Sequence, residues 1–406
     1  MKKSIKLRLL PYIIAMIILV ITFFTATFTI PNEIWAFDVF INTHIINISI
    51  IPRKYLLLFI IFLIFSSFLF LKKVYIVKCS ILNLLYIWLI YMFAMILFTK
   101  DEYLLLSISN AFGYLFSILF LIILLQLSNK KLLILLKINF ILLLFFTIIT
   151  NYMLPPNLMS YVYRYGGLYN PNAYAIYMSY GIILSFLMLK KHHIIQNTII
   201  LIIVFYFIYN LSLTLSRSSM LMLIFAFFII NIISISYKKK ISYLFIFILL
   251  VLGLLSYAQT FGIDMYRVGG LSARLNGSLL YPLSYAIDNL LLPYGYGINI
   301  LMGTNGEQLD NSYLYFLLIG GIFSLVLIVI VYLLLIKIIF IVNNRNNDIV
   351  LKVISVLLLY KIFHSVLEGS HKLMSSWTDL IFFVALIYII KIYKIGAVDA
   401  KANILN

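Results

Sequence analysis

Charged residues and cysteine are both scarce in this chain. Charged side chains make up 10% of the 406 residues, whereas hydrophobic side chains make up 65%. No soluble domain needs that much apolar material. The single cysteine, Cys79, excludes an intrachain disulfide and a metal site built from several cysteines. This composition is typical of a membrane protein.

Several catalytic signatures are also missing. The sequence has no glycine-rich Walker string, which argues against an ATP-driven pump, and no Gly-x-Ser-x-Gly elbow. Asp101 and Glu102 are the only adjacent acids, while Glu33 and Asp38 in the first outer segment are separated. A metal-dependent transferase acting on a polyprenyl phosphate sugar more often has a tight acidic pair there. We therefore expect neither a metal nor another cofactor.

Long apolar runs dominate the chain instead. A helix of about 20 apolar residues crosses a bilayer, and runs that are apolar on all sides favour helices over a barrel. We predict an all-α polytopic membrane protein, a single integral membrane domain over residues 1–406, whose first run is an uncleaved anchor. The twelve predicted runs are Leu9 to Ile30, Tyr55 to Leu71, Ser80 to Thr99, Tyr103 to Leu127, Leu132 to Thr150, Ala173 to Leu189, Ile194 to Leu213, Ser218 to Tyr237, Ile241 to Ala258, Ser312 to Val342, Ile349 to Leu367 and Thr378 to Ile395.

Lysine and arginine predict the orientation of these runs. With the N-terminus in the cytoplasm, inner segments hold 18 of the 30 basic residues, outer segments hold 8, and four lie within the runs. Both termini are then cytoplasmic. Inner loops against anionic lipid heads account for the net charge of +18 without nucleic acid. The long outer loops, 31–54, 151–172 and 259–311, are expected to form short surface helices over a cavity.

The pattern Arg-x-Gly-Gly-Leu occurs twice on the predicted outer side, beginning at Arg164 and at Arg267. Arginine offers a planar fork of donors to an oxyanion such as phosphate, and glycine lets the backbone approach the ligand. The alternative is a pair of glycine turns, each with an arginine that snorkels to the membrane surface. The glycines are Gly166, Gly167, Gly269 and Gly270.

Two more outer positions carry candidate chemistry. Arg217 lies between two runs with almost no loop. It either binds a substrate anion, with help from the serines beside it, or anchors the chain to lipid phosphate. Asp310 precedes the run that begins at Ser312. It either caps that helix or accepts a proton from a sugar hydroxyl.

A polar stripe marks the outer end of the run Ile349 to Leu367. Four ionisable residues are spaced three, four and three apart, so a helix places them on one face. Within a span, such a face meets a cavity or a partner rather than lipid. The stripe is either catalytic or a set of structural hydrogen-bonded pairs, and its spacing matches no strong metal signature. Its members are Lys361, His364, Glu368 and His371.

Taken in order, these pieces resemble the bacterial O-antigen and capsular polysaccharide polymerase family, which shares a superfamily with the O-antigen ligases. The similarity covers Arg164 to Gly321. Ligases typically place a histidine near the position of Asp310, so the sequence departs from them and leans towards the polymerases. The similar pieces are Arg164-Tyr165-Gly166-Gly167-Leu168-Tyr169-Asn170-Pro171-Asn172, Ser216-Arg217, Ser272-Ala273-Arg274, Tyr294-Gly295-Tyr296-Gly297, and Asp310-Asn311-Ser312-Tyr313-Leu314 running into Gly320-Gly321.

The resemblance implies glycosyl transfer at the outer face of the bacterial cytoplasmic membrane, without nucleotide or metal. A growing glycan on undecaprenyl diphosphate is the donor, and one oligosaccharide repeat unit on the same lipid is the acceptor. The acceptor hydroxyl attacks the anomeric carbon of the donor, and undecaprenyl diphosphate leaves. The implied partners are these lipid-linked substrates, membrane lipid, and flippase and chain-length regulator proteins, with no nucleic acid.

The candidate residues fit such a reaction because charge develops on a leaving diphosphate, which fixed arginines stabilise. We expect Arg217 and Arg274 at the donor diphosphate. Arg164 and Arg267 are expected at the second lipid or the sugars. Either Asp310 or Glu368 takes the acceptor proton. Other residues expected to contact substrate are Asn172, His364, His371 and the four glycines of the repeated pattern.

Rival functions stay open at this point. A flippase or transporter for lipid-linked oligosaccharide needs polar residues at mid-membrane in several helices. Here the ionisable residues outside the inner loops gather on the outer side, apart from four lysines. A ligase that moves finished glycan is opposed only by the family analogy at Asp310, and a non-enzymatic scaffold does not explain the outer arginines. The four lysines are Lys137, Lys337, Lys352 and Lys361.

Overall fold

The computed structural model describes residues 10–22, 79–98, 104–153, 171–190, 193–233, 283–284, 287, 311–346, 348–367 and 376–405. Within these ranges the chain is helical and contains no strand. Short 3-10 turns, Met95–Phe98 and Phe186–Met188, follow the second and fifth helices. The helices are α1 (Leu10–Thr22), α2 (Ser80–Ala94), α3 (Leu104–Leu125), α4 (Asn129–Met153), α5 (Pro171–Ser185), α6 (Ile194–Leu213), α7 (Arg217–Ile233), α8 (Ser312–Arg345), α9 (Ile349–Leu367) and α10 (Trp377–Leu405).

The all-α prediction is confirmed for the described ranges. The predicted runs Ile194 to Leu213 and Ile349 to Leu367 coincide with α6 and α9. Two other runs, Tyr55 to Leu71 and Ile241 to Ala258, lie outside the described residues. Twelve crossings and their topology therefore stay predictions. Among the described residues, five stretches are long and apolar enough to cross a membrane, namely Ser80–Phe98, Asn129–Tyr152, Ile194–Leu213, Ser312–Arg345 and Ile349–Val366.

Helix α10 lies at the centre of the bundle and α6 lies at its edge. Every residue from 377 to 390 is buried, and α10 packs against α3, α4, α8 and α9. By contrast, 28% of the residues in an 18-residue window of α6 are buried, against 72% in such a window of α9. Apolar side chains of α6 such as Ile195, Ile202 and Phe205 are exposed. Such a face suits contact with lipid, where every backbone polar group must be paired inside the helix.

Helix directions place the described candidate residues, Asn172, Arg217 and His364, at one end of the bundle. Helices α4, α6 and α9 end there, while α5, α7, α8 and α10 begin there. Asn151 at the end of α4 donates to Asn210 of α6 at 2.9 Å, and the rings of Phe146 and Trp377 are 6.1 Å apart. We call this the upper end. It is the end that the charge bias predicts to face outside.

The cap of α8 corrects one sequence-based alternative. Asn311 has an extended backbone (φ −140°, ψ 119°), and its Oδ1 accepts hydrogen bonds from the amides of Tyr313 at 2.8 Å and Leu314 at 3.1 Å. Its Nδ2 also donates to the carbonyl of Val366 in α9 at 2.8 Å. The capping role considered for Asp310 is therefore wrong, because Asn311 fills it. Asp310 itself lies outside the described residues, so its role as a proton acceptor stays a prediction.

Helix α8 is interrupted at Gly321, whose φ of 65° and ψ of −172° belong to a region that side chains with a Cβ avoid. Two side chains of α2 bind the backbone on either side of the kink. The Tyr91 hydroxyl donates to the Gly320 carbonyl at 2.8 Å. The Trp88 indole donates to the carbonyl of Ser324 at 3.1 Å and to its hydroxyl at 3.0 Å. The kink is thus held in place by α2.

Replacement of Gly321 by alanine is expected to destabilise the protein by about 1–3 kcal/mol, because the native backbone conformation there strains any residue with a Cβ. The measurement is the apparent melting temperature of the purified full chain in detergent. An unchanged melting temperature would mean that the kink is not a fixed part of the fold.

Candidate functional site

The upper end contains a set of buried polar side chains, which we call the polar cluster. Ser219 comes from α7, Lys361, His364 and Ser365 come from α9, and Asp379 comes from α10. Each is at most 1% exposed. The sequence brings them together because each lies within a few turns of the upper end of its helix, and both α7 and α10 pack against α9. Buried polar groups such as these require hydrogen bonds or counter-charges.

An ion pair forms the centre of the polar cluster. The Lys361 ammonium contacts Oδ1 of Asp379, and neither side chain reaches the surface. Ser376, just before α10, donates to Oδ2 of Asp379 at 2.5 Å and accepts from the Asp379 amide at 3.2 Å. Asp379 also lies in the first turn of α10, where the helix dipole favours negative charge. Lysine, serine and helix terminus therefore all stabilise one buried carboxylate.

His364 contacts a row of serines that leads to the turn before α7. The Ser219 hydroxyl lies 2.9 Å from Nε2 of His364, and the Ser216 hydroxyl donates to Ser219 at 3.2 Å. Because the Ser219 oxygen accepts this hydrogen bond, its own hydroxyl hydrogen is available to donate to Nε2. On the other side, the Tyr360 ring lies 5.1 Å from the imidazole. The turn before α7 is thereby connected to α9 through side chains inside the bundle.

The turn that carries Arg217 is tight and strained. Leu215 has a φ of 49°, and it is the one non-glycine residue with positive φ among the described residues. Such conformations persist only where the surroundings enforce them, and they gather at functional sites. The Ser216 amide donates to the Thr214 hydroxyl at 3.2 Å, which fixes the turn from within. Arg217 then begins α7 with an exposed side chain.

Some predictions about this region are confirmed and one is wrong. Lys361 and His364 face the bundle interior rather than lipid, as their spacing predicts. The expectation that serines assist Arg217 is wrong for Ser216 and Ser219. Both are buried and bonded within the bundle, while Arg217 is exposed. The structural alternative for the stripe pairs His364 with Glu368, which lies outside the described residues, so that pair stays a prediction; Ser219 is one partner of His364 that the structure shows.

The remaining predicted residues are not brought together by the described part of the structure. Asn172 is the second residue of α5 and is half-buried. Its role, like that of the residues outside the described ranges, stays a prediction. Those residues are Arg164, Gly166, Gly167, Arg267, Gly269, Gly270, Arg274, Asp310, Glu368 and His371.

Sequence reasoning missed Asp379, although a signal for it exists. It is a lone acid at the start of a predicted apolar run, and such a residue calls for a counter-charge. The nearest lysine within another run is Lys361, 18 residues earlier. A hairpin of two adjacent helices would bring the two residues together.

A second polar network, also missed, ties α4, α5 and α6 together at the upper end. Nδ2 of Asn151 donates to the Tyr206 hydroxyl at 2.7 Å and to Oδ1 of Asn210 at 2.9 Å. The Tyr174 hydroxyl donates towards both Asn151 and Asn210 at 3.2 Å. Because Asn151 and Tyr174 flank the segment that contains Arg164, this network fixes both ends of a predicted outer loop.

Within the described ranges, no group of three or more His, Cys, Asp or Glu side chains is placed to hold a metal ion. The chain was also compared with protein-family models, with curated proteins and with solved structures, and no match was found in any of the three. The functional argument therefore depends on the geometry of the upper end together with the sequence pattern.

Proposed function

We propose that this protein is a membrane-embedded glycosyltransferase that polymerises oligosaccharide repeat units carried on undecaprenyl diphosphate, at the outer face of the bacterial cytoplasmic membrane. The observation that carries the proposal is that the exposed Arg217 lies on a turn that contacts inside the bundle hold in place. An exposed guanidinium begins α7 on a strained turn, and two residues later Ser219 contacts His364 in the interior. A cation on a turn that buried side chains fix in place suits a fixed anionic group.

The charge arrangement supports a diphosphate leaving group. Lys361 is neutralised by Asp379, so it does not attract the substrate into the bundle. Arg217 is exposed at the same end and can meet an anion at the membrane surface. Its short turn limits the reorganisation needed when negative charge develops in the transition state. In this proposal Arg274 acts beside Arg217, and Arg164 and Arg267 bind the second lipid diphosphate.

Transport of the lipid-linked oligosaccharide is the second candidate, and one observation favours it. An ionisable pair enclosed within membrane-crossing helices is typical of substrate or proton pathways. Lys361 and Asp379 are such a pair. In that case the lipid-linked unit changes leaflets without forming a glycosidic bond.

A single assay separates the two candidates. Purified full-length protein is reconstituted into vesicles with one synthetic undecaprenyl-diphosphate repeat unit, without nucleotide sugar and in the presence of a chelator. The polymerase proposal requires a ladder of longer lipid-linked glycans. Unchanged substrate that redistributes between leaflets supports the transporter and overturns the polymerase, and neither product would overturn both.

A further inference from the structure

The serines around the turn before α7 form one hydrogen-bonded row that starts near the surface and ends inside the bundle. Its outer member, Ser218, is half-buried, and its other three members are at most 1% exposed. The hydroxyl oxygens of Ser218 and Ser216 are 3.3 Å apart, and Ser216 donates to Ser219 at 3.2 Å. The inner end is Nε2 of His364, which lies 2.9 Å from the Ser219 hydroxyl.

The hydrogen bonds of this row run in one direction. A serine hydroxyl has one hydrogen to donate, while its oxygen can accept two hydrogen bonds. Ser216 gives its hydrogen to Ser219, so Ser218 is the donor in the contact between Ser218 and Ser216. The Ser218 hydrogen therefore points into the bundle, and the Ser218 oxygen is the acceptor at the outer end of the row.

This direction decides which kind of ligand group Ser218 can contact. A diphosphate accepts hydrogen bonds, and a hydroxyl whose hydrogen is directed inward has none to donate to it. The expected help of serines to Arg217 in binding an anion therefore does not extend to Ser218. A neutral oxygen acceptor next to a cation instead suits a ligand that carries a hydrogen-bond donor close to its negative charge. A sugar attached to a diphosphate has both, because its hydroxyls lie close to the phosphate oxygens.

We propose that Ser218 is a specificity-determining residue, whose oxygen accepts a hydrogen bond from a hydroxyl of the sugar attached directly to the diphosphate. Adjacent Cα atoms are about 3.8 Å apart, so a diphosphate held by Arg217 brings that sugar within reach of Ser218. Ser216 and Ser219 are positioning residues, because they keep the Ser218 hydrogen directed away from the ligand. The inference deepens the proposed function and rests on it for the identity of the ligand.

Two lipids that differ only in the glycan test this contact. Purified full-length protein in detergent is mixed with undecaprenyl diphosphate, or with the same lipid carrying one repeat unit, and the bound fraction is measured by native mass spectrometry. Ser218→Ala is expected to weaken binding of the repeat-unit lipid about 5-fold, which is typical for the loss of one neutral hydrogen bond. Binding of plain undecaprenyl diphosphate is expected to stay unchanged in this variant, whereas Arg217→Ala is expected to weaken binding of both lipids.

A matched control and a conservative replacement make the result specific. Ser212→Ala removes an exposed serine at the same end, whose hydroxyl donates to the Tyr209 carbonyl of its own helix at 2.7 Å, and it is expected to change neither affinity. Ser219→Ala removes the acceptor of the Ser216 hydrogen, so it is expected to weaken binding of the repeat-unit lipid alone. Ser219→Thr keeps a hydroxyl at this position and is expected to restore that binding.

The outcomes distinguish this contact from the proposed function. If Ser218→Ala weakens binding of both lipids equally, or of neither, the sugar contact is overturned, even where the native protein forms a ladder of longer glycans in vesicles. A loss of binding confined to the repeat-unit lipid, without any ladder from the native protein, would support the contact and overturn the polymerase. Native protein that binds neither lipid would overturn both.

Discussion

Replacement of Arg217 by alanine is expected to slow glycan elongation by about 100-fold, which is typical for the loss of one fixed donor to a developing oxyanion. The expectation follows from position. Arg217 begins α7 at the upper end, and its side chain is exposed while its neighbours Ser216 and Ser219 are bonded inside the bundle. The measurement is the rate of ladder formation from a lipid-linked repeat unit in vesicles.

Two further variants make this test specific. Arg345→Ala removes another exposed arginine, in the last turn of α8 at the opposite end of the bundle, and is expected to leave the rate unchanged. Arg217→Lys keeps the charge but loses the planar fork, so an intermediate rate is expected. Normal elongation by a well-expressed Arg217→Ala protein would contradict the role given to this arginine.

Replacement of Lys361 by methionine is expected to remove most of the folded protein. Its loss leaves the Asp379 carboxylate buried without a counter-charge, which costs about 3–5 kcal/mol. Many proteins have only 5–15 kcal/mol of stability in total. Asp379→Leu is expected to destabilise the protein likewise, because it leaves the Lys361 ammonium buried without a counter-charge. The measurements are the yield of monodisperse protein in detergent and its apparent melting temperature.

The double variant Lys361→Met/Asp379→Leu separates structure from function. Apolar replacement of both partners is often neutral or stabilising, so folding is expected to return. Lys337→Met, which removes an exposed lysine of α8, is the matched control and is expected to be stable. Single variants as stable as the native protein would show that the pair is not charged in the fold. A stable double variant that still elongates glycan would make the pair purely structural.

Many of the helix bounds follow from the sequence, because polar residues on either side of an uncharged apolar run mark where the helix begins and ends. Helix α6 matches its predicted run for this reason, and α9 matches its run although it carries Lys352 and Lys361. Helix α8 extends three residues beyond the predicted Val342, to Arg345. Polar residues can prolong a helix after the apolar stretch ends, so hydrophobicity alone does not mark that boundary.

The site was harder to predict, since its pairs depend on how helices pack. The spacing of Lys361 and His364 predicts a shared face, but their partners come from α10 and α7. A single sequence does not state which helices are neighbours. The sequence alone also could not tell whether Asp310 or Asn311 caps α8. Both residue types cap helices well, and the structure shows that Asn311 is the one whose side chain accepts from the first amides of α8.

The central position of α10 has a consequence for biosynthesis. This helix leaves the ribosome after α3, α4, α8 and α9, whose inner faces it covers. Until it inserts, those helices are expected to leave their centre unfilled, and Lys361 lacks its partner Asp379. A nascent chain at that stage is expected to be open to membrane proteases and quality control. A premature stop before Trp377 would therefore remove the middle of the assembly rather than trim its edge.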